Sequence, residues 1–167
     1  MKKIIIIISL AFGILLSSCG IYSFSGTSIQ PDVKTYTVEP IVNKAMQVNP
    51  ALANQMTEDM IDKYKKLTNL NMVQEDGDLI ISGEIMNYNI RPMAITSDEI
   101  ASQNRLTITV KITYTNQLHE EENFEKTFSS YADYDSTQSF DSAESALVDE
   151  ILEKLIDEIF NATVANW

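Results

Sequence analysis

The 167-residue chain is short of the residue types that usually carry chemistry: it has one Cys, one His, five Gly and four Pro. A lone Cys19 leaves no partner for a disulfide, and one Cys with one His cannot assemble the usual zinc sites. No Gly-rich phosphate loop, G-x-S-x-G elbow or H-E-x-x-H motif occurs, so the chain reads as a non-enzyme. Basic residues are scarce as well, with 12 Lys+Arg against 24 Asp+Glu. A surface so acidic repels a phosphate backbone, which excludes nucleic acid as a general partner. The apolar fraction of 44% is that of an ordinary globular domain, not of a disordered tail or a repeat array.

A long hydrophobic run is also missing. Ile4 to Leu16 is apolar except for Ser9 and Gly13, and these 13 residues fall short of the roughly 20 needed to span a bilayer. Preceded by Lys2 and Lys3, the run reads as the core of a signal peptide over residues 1–18. Leu16-Ser17-Ser18-Cys19 then resembles the bacterial lipobox, at which the Cys is diacylated and becomes the mature N-terminus. Cys19 is therefore the expected lipid attachment site, with a diacylglycerol on sulfur and an acyl chain such as palmitate on its amine. Each buried CH₂ adds about 0.8 kcal/mol, so several chains hold a protein on a membrane without spanning it. Gly20 stands where an inner-membrane retention signal would place Asp, which favours the outer membrane. No other cofactor is expected. The mature chain keeps 10 basic and 24 acidic residues, a charge of −14, because Lys2 and Lys3 leave with the signal peptide.

Residues 19–31 form an anchor and a Ser/Gly-rich tether, in which Ile21, Tyr22 and Phe24 could dock. Residues 32–167 read as a single domain. Asp32 to Val38 has strand character and ends at Glu39-Pro40. Asn49-Pro50 opens a helix over about 50–67, with Leu52, Met56, Met60, Tyr64 and Leu67 at helical spacing. Asn71 to Val73 is a short strand, and Glu75-Asp76-Gly77-Asp78 predicts a tight reversal. Leu79 to Ile90 follows as a strand with Ile80, Met86, Tyr88 and Ile90 on one face and Leu79, Ile81 and Ile85 on the other, stopped by Arg91-Pro92. Residues 105–115 alternate most clearly: Leu106, Ile108, Val110, Ile112 and Tyr114 against Arg105, Thr107, Thr109, Lys111, Thr113 and Thr115. A Glu-rich turn leads into a strand over 124–134, with Phe124, Phe128 and Tyr134 on one face. Asp141 and Glu144 predict a capping box for the last helix, whose apolar arc of roughly 220° implies either deep packing or a partner. The expected fold is α+β: a two-layer sandwich of a mostly antiparallel sheet packed against two helices, in the order β-α-β-β-β-α.

Three polar features could carry chemistry. His119 lies in a Glu-rich turn and reads as solvated, with no fixed nucleophile or orienting carboxylate around it. Asp133 to Glu144 places oxygen side chains with calcium-loop spacing, but Gln138 replaces the turn Gly and a strand leads in, so it reads as a polar loop and metal ligands are not expected. Asp135-Ser136-Thr137 and Asp141-Ser142-Ala143 match a short O-glycosylation acceptor pattern of exported bacterial proteins.

Five segments carry a wider likeness: Cys19-Gly20-Ile21-Tyr22-Ser23-Phe24, Pro31-Asp32-Val33-Lys34-Thr35, Gly77-Asp78-Leu79 with Gly83-Glu84-Ile85, Asn104 to Val110, and Phe128 with Tyr131 to Asp135. With the lipobox and the element order, they resemble the lipopolysaccharide-assembly lipoprotein family (LptE-like) over nearly the whole chain. The resemblance implies an outer-membrane lipoprotein lodged in a β-barrel translocon, supporting its assembly and the delivery of lipopolysaccharide to the outer leaflet. Direct lipopolysaccharide contact in that family uses basic side chains, which makes Arg91, Arg105 and Lys111 the candidates here. The competing reading is a pilotin or adaptor lipoprotein for another outer-membrane assembly machine.

Overall fold

The structure is a computed structural model that describes residues 29–46, 49–93 and 103–164. Cys19, the rest of the signal and tether to residue 28, and most of the 92–104 loop lie outside the described residues. The elements are β1 (Thr35–Val38), β2 (Val42–Asn43), α1 (Leu52–Leu67), β3 (Asn71–Met72), β4 (Leu79–Met93), β5 (Gln103–Asn116), a 3-10 turn (Glu120–Glu122), β6 (Phe124–Asp135) and α2 (Phe140–Val164). The α+β class holds; the short strand expected at Asn71 is present as β3, and the element order gains β2, each two residues long. No helix among the described residues is long and apolar enough to cross a membrane.

The sheet runs β3-β1-β4-β5-β6, with β2 continuing beside β4 beyond β1. Strands β4, β5 and β6 are antiparallel, as their alternation and short connections predict. Strands β1 and β2 are instead parallel to β4, and β1 is parallel to β3. The Asp76-Gly77 reversal expected from the sequence is therefore not a hairpin turn. Because β3 and β4 flank β1 and run the same way, residues 73–78 cross over β1. Gly77 makes the crossing possible: a Cβ there would lie 2.7 Å from the Tyr36 carbonyl carbon and 2.8 Å from the Thr37 nitrogen. Asp78 then fastens the crossing, accepting bonds from the Lys34 and Thr35 backbone N–H groups at 2.8 and 2.9 Å. Those backbone donors hold the Asp78 carboxyl below its ordinary pKa.

A second correction concerns β4. The pairing with β5 shifts between Ile85 and Asn87, so Met86 is an inserted residue of a β-bulge. Before the bulge Leu79, Ile81 and Ile85 face the core, and after it Tyr88 does, with Met86 left 46% exposed. Uninterrupted alternation had put Tyr88 and Met86 together on the opposite face. Arg91-Pro92 also does not stop the strand, which pairs with β5 as far as Met93.

Both helices pack on one side of the sheet. Leu106, Ile108, Val110 and Ile112 of β5 are fully buried beneath them. From α2, Leu147, Val148, Ile151, Leu152, Leu155, Ile156, Ile159 and Phe160 are all buried, which resolves its wide apolar arc as deep packing. Tyr64 of α1 joins the layers, stacking on Tyr36 at 5.5 Å, meeting Phe160 edge-on at 5.2 Å, and sharing a hydrogen bond with Thr163. Each such ring pair adds about 0.5–1.5 kcal/mol beyond the area it buries. Helix α1 begins at Leu52, later than expected, with the Asn49 side chain accepting from the Ala51 N–H. The predicted capping box is replaced. The Glu144 carboxylate accepts from Tyr88 Oη at 2.5 Å and Asn49 Nδ2 at 3.0 Å, tying β4 and both helix starts together.

Candidate functional site

With both helices on one side, no helix among the described residues covers the other face of β4, β5 and β6, and the 73–78 crossing covers β1. The register aligns its side chains in rows: Ser82 with Thr113, Asn87 with Thr109 and Ser129, and Asn89 with Thr107 and Tyr131. The Asn87 and Asn89 rows are uncharged, while Glu125 extends the Ser82 row and Glu84 with Lys111 forms the row between Ser82 and Asn87. Thr109 and Ser129 hydroxyls bond across strands at 2.9 Å. The same alternation that buries the even-numbered residues of β5 lifts the Thr side chains of its odd positions into this surface.

Charge flanks the two uncharged rows and is matched there. Arg105 Nε and Nη2 donate to the two Asp133 oxygens at 2.7 and 2.8 Å, and the guanidinium lies 3.6 Å from the centre of the Tyr131 ring. The Arg105 bonds hold the Asp133 carboxyl below its ordinary pKa. Lys111 pairs with Glu125 at 3.2 Å, and Lys44 with Glu84 at 2.6 Å. A shallow groove of about 260 Å³ passes over Ser82, Glu84, Lys111, Thr113 and Glu125. Arg91 is exposed on β4 directly opposite Arg105.

The three basic residues singled out from sequence thus share one face but not one site. Arg91 and Arg105 are neighbours near its far end, while Lys111 is on the other side of the Thr109 row. Arg105 and Lys111 are each bound to a carboxylate on β6. Sequence reading missed these partners because cross-strand neighbours appear only once the register is known.

The other end of the sheet receives the chain from the tether. Gln30 bonds Glu122, and His119 Nε2 lies 3.0 Å from Asp32 Oδ2. The bond to Asp32 raises the His119 pKa above its ordinary value. His119 is therefore a link between the β5–β6 turn and the chain entering β1, not simply a solvated turn residue. Because β4 is 15 residues long, this end and the Arg91–Arg105 end are separated by roughly 40–50 Å. In the 133–144 segment, Asp133 is held by Arg105, Asp135 by Thr137, and Glu144 by Tyr88 and Asn49, which fits the polar-loop reading. Among the described residues no group of three or more His, Cys, Asp or Glu is placed to hold a metal.

The family model for LptE, described as lipopolysaccharide assembly, matches residues 33–163. The chain belongs to this family. The LptE match runs from the start of the domain to the end of α2, so it includes the crossing, the bulged strand and the open face. A search of curated proteins finds no match. Among solved structures, a neuraminyllactose-binding hemagglutinin homologue from Helicobacter pylori is 8% identical with a TM-score of 0.55, covering 83% of this chain and 87% of that one. A minor lipoprotein from Acinetobacter baumannii is 14% identical with a TM-score of 0.48, covering 76% and 89%. A lipoprotein from Neisseria meningitidis is 11% identical with a TM-score of 0.45, covering 77% and 99%. At these identities the first likeness speaks to the fold alone.

Proposed function

We propose that the protein is an outer-membrane lipoprotein, anchored through an acylated Cys19, that serves as plug and assembly partner of the β-barrel translocon inserting lipopolysaccharide into the outer leaflet. Membership of the LptE family supports the lipopolysaccharide-assembly role. The observation that carries the plug reading is the open sheet face. Outer-membrane barrel interiors are polar, and a plug must offer them hydrogen-bonding groups. The Asn87–Thr109–Ser129 and Asn89–Thr107–Tyr131 rows, flanked by the Arg105–Asp133, Lys111–Glu125 and Lys44–Glu84 pairs, meet that requirement. The acidic balance of the chain opposes broad contact with anionic lipid. Any direct lipopolysaccharide contact is then confined to the Arg91–Arg105 end, where two guanidinium side chains face one Asp133.

The test is affinity purification of the full-length protein from detergent-solubilised outer membrane, as wild type and as Thr109→Trp. Wild type should bring down one large β-barrel protein, and the variant should lose at least ten-fold of it while keeping its melting temperature. Recovery of an unrelated assembly machine in place of a lipopolysaccharide-inserting barrel would establish the pilotin or adaptor reading instead.

A further inference from the structure

Two segments match the acceptor pattern for bacterial O-glycosylation, and the structure treats them very differently. In Asp141-Ser142-Ala143 the serine belongs to the first turn of α2. Its hydroxyl donates to the Ser139 carbonyl at 2.8 Å and accepts from Ser139 Oγ at 3.0 Å, and Ala143 beside it is buried at 5% exposure. An enzyme could not reach around that serine without unwinding the helix start. Asp135-Ser136-Thr137 lies in the connection between β6 and α2 instead. Gln138 N–H donates to the Asp135 carbonyl at 3.0 Å, closing a four-residue turn with Ser136 and Thr137 at its centre. The Asp135 carboxylate accepts from the Thr137 N–H at 2.8 Å and the Thr137 hydroxyl at 2.6 Å, which fixes the turn. Residues 135–139 are all exposed, and the turn lies at the sheet end opposite the one where the chain enters β1, so bulk added there does not meet the core.

We propose that Ser136 is the acceptor of an O-linked glycan, transferred from a polyprenyl-diphosphate sugar by a separate envelope glycosyltransferase. Ser136 Oγ attacks the anomeric carbon of the sugar as the bond from that carbon to the diphosphate oxygen breaks. The diphosphate leaves with the electron pair, the hydroxyl proton passes to a base of the transferase, and no oxidation state changes. Asp135 and Thr137 supply the flanking groups of the pattern, already presented on an exposed turn. The proposal rests on the export part of the reading above, because the donor and transferase are met outside the cytoplasm.

The full-length protein, isolated from the membranes of the bacterium that makes it, is digested and the peptides are sequenced by electron-transfer fragmentation. The peptide spanning 127–154 should carry added mass in whole sugar units on Ser136. Ser136→Ala should abolish that mass, and Ser142→Ala should leave it unchanged. Asp135→Asn keeps an oxygen able to accept the Thr137 bonds but loses the carboxylate, and should reduce occupancy at least ten-fold with an unchanged melting temperature. An unmodified wild-type peptide, or a glycan that survives Ser136→Ala, overturns the proposal. The N-terminal peptide from the same digest separates the two readings: lipid on Cys19 beside a bare Ser136 overturns only the glycan, whereas an unprocessed N-terminus beside a bare Ser136 overturns export as well.

Discussion

The two faces of β5 are made by one stretch of chain and live in different solvents. Leu106, Ile108, Val110 and Ile112 are inaccessible under the helices, while Thr107, Thr109, Lys111 and Thr113 line a surface that no helix among the described residues covers. On the covered face neighbours are fixed by shape, and each side chain's contribution depends on what fills the space around it. On the open face neighbours are matched by charge and hydrogen bonding, and water can replace any of them. Stability therefore resides in one face, which leaves the composition of the other free to serve a partner.

The comparison is broken most forcefully by removing core volume. Leu152 is 1% exposed in the middle of α2, and Leu152→Ala should cost about 2–5 kcal/mol in urea unfolding. Thr109→Ala, on the open face, should fall within about 0.5 kcal/mol of wild type. Similar losses for the two would show that the open face is not a free surface. Next in size is Gly77→Ala, where the added Cβ meets the β1 backbone rather than a flexible side chain. Overpacking of this kind costs about 1–3 kcal/mol, and the same denaturation curves would read it.

These sites also show what could be read in the sequence. The alternation of β5 and the helical spacing of Leu52, Met56, Met60 and Tyr64 were legible because each depends on local periodicity alone. The β4 bulge was not, since an inserted Met86 is defined only by the strand opposite it. Parallel pairing of β1 was hidden for a similar reason: Gly77 and Asp78 look like a hairpin turn until β1 is found lying between β3 and β4. Glu144 had the spacing of a capping residue, but Tyr88 and Asn49, distant in sequence, provide its partners. For the candidate site, the polar face was legible and the pairing of its charges was not. Cys19 and its lipid remain an expectation from the lipobox, outside the described residues.

A smaller effect sharpens the account of the open face itself. The Arg105–Asp133 pair is roughly 30% exposed on each side chain, so water weakens it and Arg105→Ala should change stability little. Its effect on anionic lipid should be larger, and its sign can be set. Asp133→Asn frees the guanidinium beside Arg91 and should raise lipopolysaccharide affinity several-fold, whereas Arg105→Ala should lower it. Binding of the two variants to lipopolysaccharide micelles decides the matter. Equal affinity in both would remove the Arg91–Arg105 end as a contact.

The smallest effect lies at the tether end, where His119 bonds Asp32. The Asp32 bond raises His119 above its ordinary 6.5, and the His119 bond lowers Asp32 below its ordinary 3.8. A raised imidazole pKa contributes stability that is complete below about pH 6.5 and is lost as pH rises through the folded value. The depressed Asp32 contributes above about pH 3.8 and is lost as pH falls through its own folded value. The link is therefore strongest in the mildly acidic range between the two, and both groups are exposed enough for water and salt to weaken it. Because His119 is the only imidazole in the chain, its ring protons give a single NMR titration curve with no assignment ambiguity. The midpoint should lie above 6.5 in wild type and return toward it in Asp32→Asn, with a smaller difference at high salt. A midpoint already at 6.5 in the wild type would mean that the chain entering β1 is not held by this turn, and Gln30 with Glu122 would then be left as the link between them.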